Sequence, residues 1–378
     1  MIYLDNNATT KPFPEVVEAM MPFMTTRYWN ASSAYGQLDG LEEIVESAKS
    51  AIRSLIASES EDEVVFTSGA TESNVWAIAE GERRAMGRGW VLSSQIEHPS
   101  IGEPLEALKE QSISVRYVPV TRSGTFDLDI LAELVDSDLR FASLMLAHNE
   151  TGVIQPIREA AKLIRERSPH CLIHSDATQA IGKVPISFTD ELNQIDLISF
   201  SAHKFHGPKG IGGLVIRNGT NIVPFIRGGG QQSNLRSGTL NIPAIAGVNV
   251  AARKSLEHIK GDQIPSIQRL RDYFESRIAE IFPDSIFVGS QSQRLANTSF
   301  FGIPGADADD VVYALAAVGI ALSKGSSCSA QSIMPPLTAL LMELNHEEAN
   351  SLLRVSLAYE NSFIEVDQLI QKLVELLH

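Results

Sequence analysis

Short apolar runs alternate with amphipathic, helix-spaced segments through the first two-thirds of this sequence, and no other feature constrains the fold as strongly. The apolar runs have the length of strands and occupy residues 63–67, 90–94, 115–120, 140–147, 171–175 and 195–199. Amphipathic segments lie between them at residues 42–56, 73–86 and 157–167. Strands that are apolar along most of their length and alternate with helices favour a largely parallel sheet covered on both faces. The sequence therefore predicts an α/β fold.

The pattern changes after about residue 250. The later segments predict a helix, a strand, a second helix, two further strands and a C-terminal helix that begins with a capping box, at residues 251–281, 297–301, 307–318, 320–323, 354–358 and 362–378. This order is typical of a smaller α+β unit. We expect a large domain over residues 15–257 and a small domain formed by residues 1–14 and 258–378.

Composition argues against several kinds of partner. The chain has 31 basic and 46 acidic residues, a net charge of −15, and its acidic residues are scattered, so we expect no direct contact with nucleic acid. The longest apolar stretch, residues 311–322, is shorter than the roughly 20 residues that cross a membrane. No signal-peptide pattern opens the sequence, and two cysteines cannot make a disulfide framework. We expect a cytoplasmic protein that does not span a membrane.

A lysine lies in a polar, histidine-flanked segment between two apolar runs. It is Lys204, which follows Ser201-Ala-His203. An amine among hydroxyl and imidazole groups suits Schiff-base chemistry, and Ser201 and His203 suit the binding of a phosphate. Taken alone, a lysine in this position is more often a solvated loop lysine, and only the other motifs favour the chemical role.

An acidic residue follows the end of a predicted strand, 28 residues before Lys204. It is Asp176, and Gln179 lies three residues further on. Ligands of parallel sheets bind where the strands end. A carboxylate there can pair with a protonated pyridine nitrogen, and Gln179 can reach a phenolic oxygen of the same ring. Alone, Asp176 could instead be a helix N-cap.

The segment Ser68-Gly-Ala-Thr-Glu72 follows one predicted strand and opens the next helix. Its backbone amides, with Ala70 and the Thr71 hydroxyl, would face an anion at a helix N-terminus. We interpret it as a candidate phosphate site. Without the other motifs it would be an ordinary turn.

Two other motifs suggest ligands that their geometry does not support. His170, Cys171, His174 and Asp176 resemble a metal site, but adjacent residues of a strand point to opposite faces, so we expect no metal and a structural role for Cys171. The glycine-rich segment 207–213 leads into a strand, whereas a dinucleotide or P-loop site would lead into a helix.

Nine motifs occur in one order along the chain, at residues 3–10, 65–73, 97–98, 149–156, 176–179, 201–210, 228–231, 236–239 and at Cys328. Together they resemble the cysteine desulfurases of the NifS/IscS group, pyridoxal 5'-phosphate (PLP) enzymes of the class V aminotransferase fold. The resemblance covers nearly the whole chain. It implies fold type I of the PLP-dependent transferases, L-cysteine as substrate, a homodimer, and a protein that accepts the sulfur.

The resemblance also implies roles around the cofactor. Lys204 would form the Schiff base, Asp176 would pair with the pyridine nitrogen, and Gln179 would contact the ring oxygen. The residues that would hold the phosphate are Ala70, Thr71, Ser201 and His203. Thr239 would reach the phosphate of the cofactor bound by the partner subunit.

Further roles concern the substrate. His98 would stack on the cofactor ring and move protons, while Asn149 and Arg354 would orient the substrate carboxylate, a task suited to the planar guanidinium. Asn149 would also contact the cofactor. Cys328 lies in a stretch rich in glycine and serine and would be the nucleophile that takes the sulfur from cysteine.

The implied reaction converts L-cysteine to L-alanine and leaves a persulfide on Cys328. Two alternatives share the fold, a selenocysteine lyase and an aminotransferase of small amino acids. A third is a non-catalytic assembly partner that keeps PLP as a structural ligand. The sulfur acceptor also stays open, since iron–sulfur cluster assembly, tRNA thiolation, a thio-cofactor and DNA phosphorothioation are all compatible.

Overall fold

Strands and helices alternate along residues 1–325 and 336–377, the part of the chain that the computed structural model describes. The strands are β1 (Ile2–Tyr3), β2 (Glu63–Thr67), β3 (Trp90–Ser94), β4 (Ser114–Val118), β5 (Leu139–Ser143), β6 (Leu172–Asp176), β7 (Leu197–Ser201), β8 (Gly212–Ile216), β9 (Ile286–Phe287), β10 (Thr298–Gly302), β11 (Ile320–Ala321) and β12 (Leu352–Ser356). The helices are α1 (Pro14–Thr25), α2 (Ala34–Leu38), α3 (Leu41–Leu55), α4 (Ala70–Ala85), α5 (Pro99–Glu110), α6 (Leu128–Leu134), α7 (Ile157–Arg167), α8 (Ile242–Lys260), α9 (Gln263–Ile281), α10 (Ala308–Ala317), α11 (Leu337–Leu341), α12 (His346–Asn350) and α13 (Phe363–Leu377).

The central sheet has seven strands in the spatial order β2-β8-β7-β6-β5-β3-β4. Neighbouring strands are parallel, except that β8 is antiparallel to both β2 and β7. The predicted α/β fold with a largely parallel sheet is therefore confirmed. Because β8 alone is reversed, the other six strands end at one edge of the sheet, and loops from that edge can share a site.

Helices cover both faces of this sheet. On β2, the alternate residues Val64 and Phe66 pack into one apolar cluster with α3 and α8, while Val65 packs on the opposite face with Trp76 of α4. Side chains of a strand point alternately to its two faces, so a strand covered on both sides is apolar along most of its length. This requirement explains the continuous apolar runs in the sequence.

A second apolar cluster lies outside the central sheet. It packs α9, α10 and α13 against β10 and β12 and includes Phe274, Phe301, Leu315 and Leu373. Here β12, β10 and β9 form an antiparallel sheet of three strands, and β1 pairs with β11 in parallel. The division into residues 15–257 and residues 1–14 with 258–378 stays a prediction.

The expected single helix over residues 251–281 is wrong. The segment belongs to two helices, α8 and α9, which are separated at Gly261 and Asp262. Helix α8 begins earlier, at Ile242, where the Asn241 side chain accepts a hydrogen bond from the backbone N–H of Ala244 and caps the helix. The apolar face of α8 packs with α3 against the central sheet. The helical periodicity of the sequence did not reveal this packing.

None of the helices in residues 1–325 and 336–377 combines the length and the apolar character that crossing a membrane requires.

Candidate active site

A cavity of about 710 Å³ opens at the edge where the six strands end. Residues after β2, β5, β6 and β7 line it, together with His98 before α5, the N-terminal segment 7–9 and Arg354 of β12. Ten of the twelve predicted site residues lie on its wall: Ala70, Thr71, His98, Asn149, Asp176, Gln179, Ser201, His203, Lys204 and Arg354. Of the remaining two, Thr239 is exposed and lies outside the lining, and Cys328 falls outside the described residues.

The first turn of α4 meets the end of β7 at one end of the cavity. Helix α4 begins after Gly69, and within the described residues no side chain caps its N-terminus. A Cβ atom on Gly212 would lie 2.8 Å from the Gly69 Cα, so only glycine lets the two backbones approach this closely. A Cβ atom on Gly69 would lie 3.5 Å from the Ser201 hydroxyl oxygen, which places that hydroxyl beside the open helix N-terminus. This arrangement suits a phosphate.

An ion pair fixes the segment that leads to Thr239 beside this helix. Arg236 Nε and Nη2 donate to the two carboxylate oxygens of Glu72 at 2.8 and 3.1 Å. Burial alone would raise the pKa of Glu72, but the hydrogen bonds from Arg236 and Ser68 hold this pKa below its usual value. The carboxylate therefore stays ionised and keeps the segment attached.

Asp176 lies at the end of β6 and is held on both carboxylate oxygens. Its Oδ2 accepts from Asn74 Nδ2 at 2.8 Å, and its Oδ1 accepts from the backbone N–H of Thr178 at 2.9 Å. Asn74 is itself fixed, because it donates to the Ser100 hydroxyl at 2.9 Å and accepts from the Ser199 hydroxyl. The bond from Thr178 is a local turn cap, so Asp176 closes the turn after β6 and also lines the cavity.

His98 lies before α5 and is held through Nδ1. The backbone N–H of Ser100 donates to this atom at 3.1 Å, and the Ser100 hydroxyl lies 2.9 Å from it. Burial lowers the pKa of His98, and its neighbour Lys204 acts in the same direction, although Asp176 opposes them. Because Nδ1 accepts a hydrogen bond, the proton of the neutral ring lies on Nε2.

Lys204 lies in a 3₁₀ turn, Ala202–Lys204, that directly follows β7. Its Nζ donates to the backbone carbonyl oxygens of Asn7 and Ala8 at 2.6 and 2.8 Å. The interpretation as a solvated loop lysine is therefore wrong, because the amine lies on the cavity wall under the N-terminal segment. Beside it, burial and the charge of Lys204 lower the pKa of His203 to about 4, so this imidazole is neutral at pH 7.

Arg354 reaches the cavity from β12 and is held by two acceptors. Its Nη2 donates to Asp5 Oδ1 at 2.6 Å, and its Nη1 donates to the Asn149 carbonyl oxygen at 3.0 Å. The arginine side chain is only 1% exposed. Asp5 and Asn149 thus fix the plane of the guanidinium in the wall of the cavity.

Several polar residues of the site were not predicted from the sequence. Asn7 is the most connected of them, since its carbonyl oxygen accepts from Lys204 and from Gln179 Nε2, and its side chain contacts Lys183 and Asn297. Asn7 lies in the N-terminal motif, residues 3–10, that supports the resemblance, but no role was predicted for it. Asn74 could have been found as a polar residue on an otherwise apolar helix face.

Of the two cysteines, Cys328 lies outside the described residues and Cys171 lies within them. Cys171 is buried next to β6, and burial raises the pKa of its thiol well above the usual value, so a structural role is consistent with its surroundings. His174 contacts the hydroxyls of Ser143 and Ser199 at 2.9 and 3.1 Å. Within residues 1–325 and 336–377, no group of three His, Cys, Asp or Glu side chains is placed to hold a metal ion.

Comparison with known proteins identifies the family. Residues 2–369 match the model of the class-V aminotransferases, and the chain belongs to this family. It is 36% identical over 373 residues to a cysteine desulfurase of Cereibacter sphaeroides, an alignment that covers 98% of this chain and 94% of that protein. It is 34% identical over 371 residues to the cysteine desulfurase NifS of Azotobacter vinelandii, covering 98% of this chain and 91% of that one.

A solved structure described as a NifS-like protein superimposes with a TM-score of 0.91 at 32% identity. The superposition covers 100% of this chain and 99% of that structure. The expected fold type I of the PLP-dependent transferases is therefore confirmed, and PLP is the cofactor of the family.

Proposed function

We propose that this chain is a PLP-dependent cysteine desulfurase. In the reaction, L-cysteine and the thiol of Cys328 become L-alanine and a persulfide on Cys328, from which an acceptor protein takes the sulfur. The observation that carries the proposal is one cavity lined by an amine, a carboxylate and a guanidinium, those of Lys204, Asp176 and Arg354. The desulfurases to which the chain is similar along its full length support the choice of substrate.

The residues of the cavity fit PLP. The open N-terminus of α4 and the Ser201 hydroxyl suit its phosphate, Asp176 suits a protonated pyridine nitrogen, and Lys204 is the amine for a covalent link. When bound, PLP supplies an electron sink for the charge that develops on the substrate when its Cα proton is removed. Asn74 and Thr178 hold both oxygens of Asp176, so its carboxylate would keep one orientation when the ring is bound.

The protein's own groups bind the substrate and move its proton. Arg354 binds the carboxylate of cysteine with a guanidinium whose plane Asp5 and Asn149 have already fixed, so little orientational entropy is lost on binding. The Lys204 amine takes the Cα proton from its position near the Asn7 and Ala8 carbonyls. His98, with its proton on Nε2, can donate to an atom on the substrate side of the cavity.

The wider setting is also part of the proposal: a cytoplasmic homodimer whose sulfur serves iron–sulfur cluster assembly or tRNA thiolation. Thr239 supports the dimer, because it is exposed outside its own cavity while Arg236 holds its segment beside the phosphate site. In hybrid dimers of Lys204→Ala with Thr239→Ala subunits, cofactor retention should differ from that of either parent. A monomer in light scattering that still turns over cysteine would contradict the shared site.

Product analysis tests the activity. The purified protein, loaded with PLP and given L-cysteine and a reductant, should release equal amounts of alanine and sulfide. A selenocysteine lyase would instead act on selenocysteine and leave cysteine unchanged, and an aminotransferase would convert cysteine only with a keto acid and yield no alanine from it. If none of these substrates gave a product, only the non-catalytic role would remain. Isolation of the protein that receives labelled sulfur from Cys328 would identify the pathway.

A further inference from the structure

A second lysine amine lies behind the cavity wall, against a residue proposed to contact the cofactor. Lys183 Nζ donates to Gln179 Oε1 at 2.7 Å and to Asn7 Oδ1 at 3.0 Å. Lys183 is partly buried and does not line the main cavity. Neither the sequence motifs nor the proposed reaction gives it a task.

The turn after β6 explains why Lys183 meets Gln179. The backbone N–H groups of residues 180 and 181 donate to the Ala177 carbonyl, and those of residues 183 and 184 donate to the Ala180 carbonyl. The chain coils through about two turns, which brings residues four apart to one side. Gly182 has φ +79°, and a Cβ atom there would lie 2.5 Å from the Phe205 Cβ, so the coil packs directly against the residue after Lys204.

The contacts of Gln179 determine which way its carboxamide is turned. Its Nε2 donates to the Asn7 carbonyl oxygen at 2.9 Å, while its Oε1 accepts from Lys183. A carboxamide has two orientations that differ by exchange of the oxygen and nitrogen atoms. Lys183 offers hydrogens at this position, so it selects the orientation with the oxygen toward itself. One Nε2 hydrogen then bonds to Asn7, and no residue in the described part of the chain accepts the second, which leaves it for a ligand of the cavity that Gln179 lines.

Asn7 joins Lys183 and Lys204 in the same network. Its carbonyl oxygen accepts from Lys204 Nζ and from Gln179 Nε2, and its side-chain oxygen accepts from Lys183 Nζ. Burial, with the charges of Lys204 and Arg354, keeps the pKa of Lys183 well below its usual value. Both protonation states of the amine have at least two hydrogens, which is the number that the two oxygen acceptors require.

We propose that Lys183 is a positioning residue that fixes the carboxamide of Gln179 with an N–H group toward the ring oxygen of bound PLP. The inference rests on the proposed function, because the ring oxygen belongs to the proposed cofactor. Lys183 acts through Gln179 and does not itself touch the cofactor. Its removal should therefore change the electronic state of the bound cofactor more than the amount that binds.

The test is a pH titration of the visible absorbance of the lysine-linked cofactor, with no substrate present. A hydrogen bond from Gln179 stabilises negative charge on the ring oxygen, so its loss should make the neighbouring nitrogen hold its proton to higher pH. Lys183→Met, which keeps the length and loses the donors, should still bind PLP and move the titration midpoint upward by about half a pH unit or more. Lys162→Met, at an exposed lysine of α7, should leave the midpoint unchanged.

The double variant Lys183→Met/Gln179→Ala separates positioning from a direct effect of charge. If Lys183 acts through Gln179, the double variant should titrate like Gln179→Ala alone, because the two effects are not additive. Full additivity, or an unshifted midpoint in Lys183→Met, would overturn the inference while leaving the proposed function intact. Lys183→Leu repeats the measurement if Lys183→Met does not fold. A wild-type protein without any lysine-linked absorbance would overturn both proposals.

Discussion

Arg354 Nη2 donates to Asp5 Oδ1 at 2.6 Å, and this ion pair joins the N-terminal segment to strand β12 at the wall of the cavity. The Arg354 side chain is 1% exposed and that of Asp5 is 15% exposed. The stability of a guanidinium this deeply buried depends on its carboxylate partner, because little water is present to solvate the charge if the carboxylate is lost. The pair therefore serves both the stability of the fold and the orientation of Arg354.

Asp5→Ala should lower the free energy of unfolding by about 3 kcal/mol, since it leaves the charge of Arg354 buried without its counter-charge. Urea unfolding of the two proteins measures the difference. Glu280→Ala is the matched control, because Glu280 pairs with Arg277 on the surface and its loss should cost less than about 1 kcal/mol. Equal losses in the two variants would show that the buried pair has no special role.

The central sheet could be predicted from the sequence because its strands are covered on both faces. The runs 63–67 and 90–94 coincide with β2 and β3. The reversal of β8 was not predictable, since an apolar run carries no information about its direction. The break at Gly261 has a local signal that was missed, because Gly261 is the C-cap of α8 and Pro265 lies in the first turn of α9.

Lys204→Ala should remove the yellow, lysine-linked absorbance, because Lys204 follows a strand end at the edge where Asp176 lies. Lys209 also lines the cavity, so Lys209→Ala is the control and should keep that absorbance. Borohydride reduction of the wild-type protein followed by peptide mapping locates the link. A reduced adduct on Lys209 would show that the assignment to Lys204 is wrong.

Glu97→Gln should flatten the dependence of stability on pH between about 4.5 and 8. Burial, helped by the charge of Asp176, raises the pKa of Glu97 from 4.5 to about 8, although Met145 N–H and the Ser94 hydroxyl donate to its Oε1. Within this range the unfolded carboxyl group is ionised while the folded one keeps its proton. Folding therefore loses stability as pH rises, by up to about 1.4 kcal/mol per pH unit.

The measurement for Glu97 is the free energy of unfolding at pH 5.5, 7 and 8.5. Glutamine resembles the protonated acid, so the difference between Glu97→Gln and the wild type should grow in favour of the variant up to pH 8 and then stay constant. Histidines whose pKa values are lowered by burial also titrate below pH 6.5, but they are common to both proteins and cancel in the difference. A difference that does not change with pH would contradict the raised pKa.

The site divides into residues proposed to carry chemistry and residues that hold them in position. Resemblance to a family predicted the first group, including Asp176 and Gln179, because those residues lie in contiguous motifs. The second group was missed, since Asn74 contacts Asp176 across 102 residues of the chain and Asn7 contacts Gln179 across 172. Such contacts exist only in the folded chain, so a local pattern can mark Asn74 as a polar residue on an apolar helix face but cannot identify its partner.

Cys328→Ser should separate the chemistry at the cofactor from the transfer of sulfur. The thiol's proposed task comes after Arg354 has bound the substrate and Lys204 has removed the Cα proton, so the variant should stay yellow and change its spectrum when cysteine is added. It should release almost no alanine, because a serine hydroxyl lacks the accessible pKa and the polarizability of a thiolate. The measurements are the absorbance change and the alanine formed in the presence of a reductant.

Cys171→Ser is the control for the loss of a thiol. Cys171 is 1% exposed, and burial keeps its thiol protonated at neutral pH, so it has neither the access nor the ionisation that a sulfur acceptor needs. Turnover of Cys171→Ser should remain near that of the wild type. If Cys328→Ser retained most of its alanine production, sulfur would leave the substrate without a protein nucleophile. The persulfide route would then be wrong, and a lyase that releases the sulfur directly would take its place.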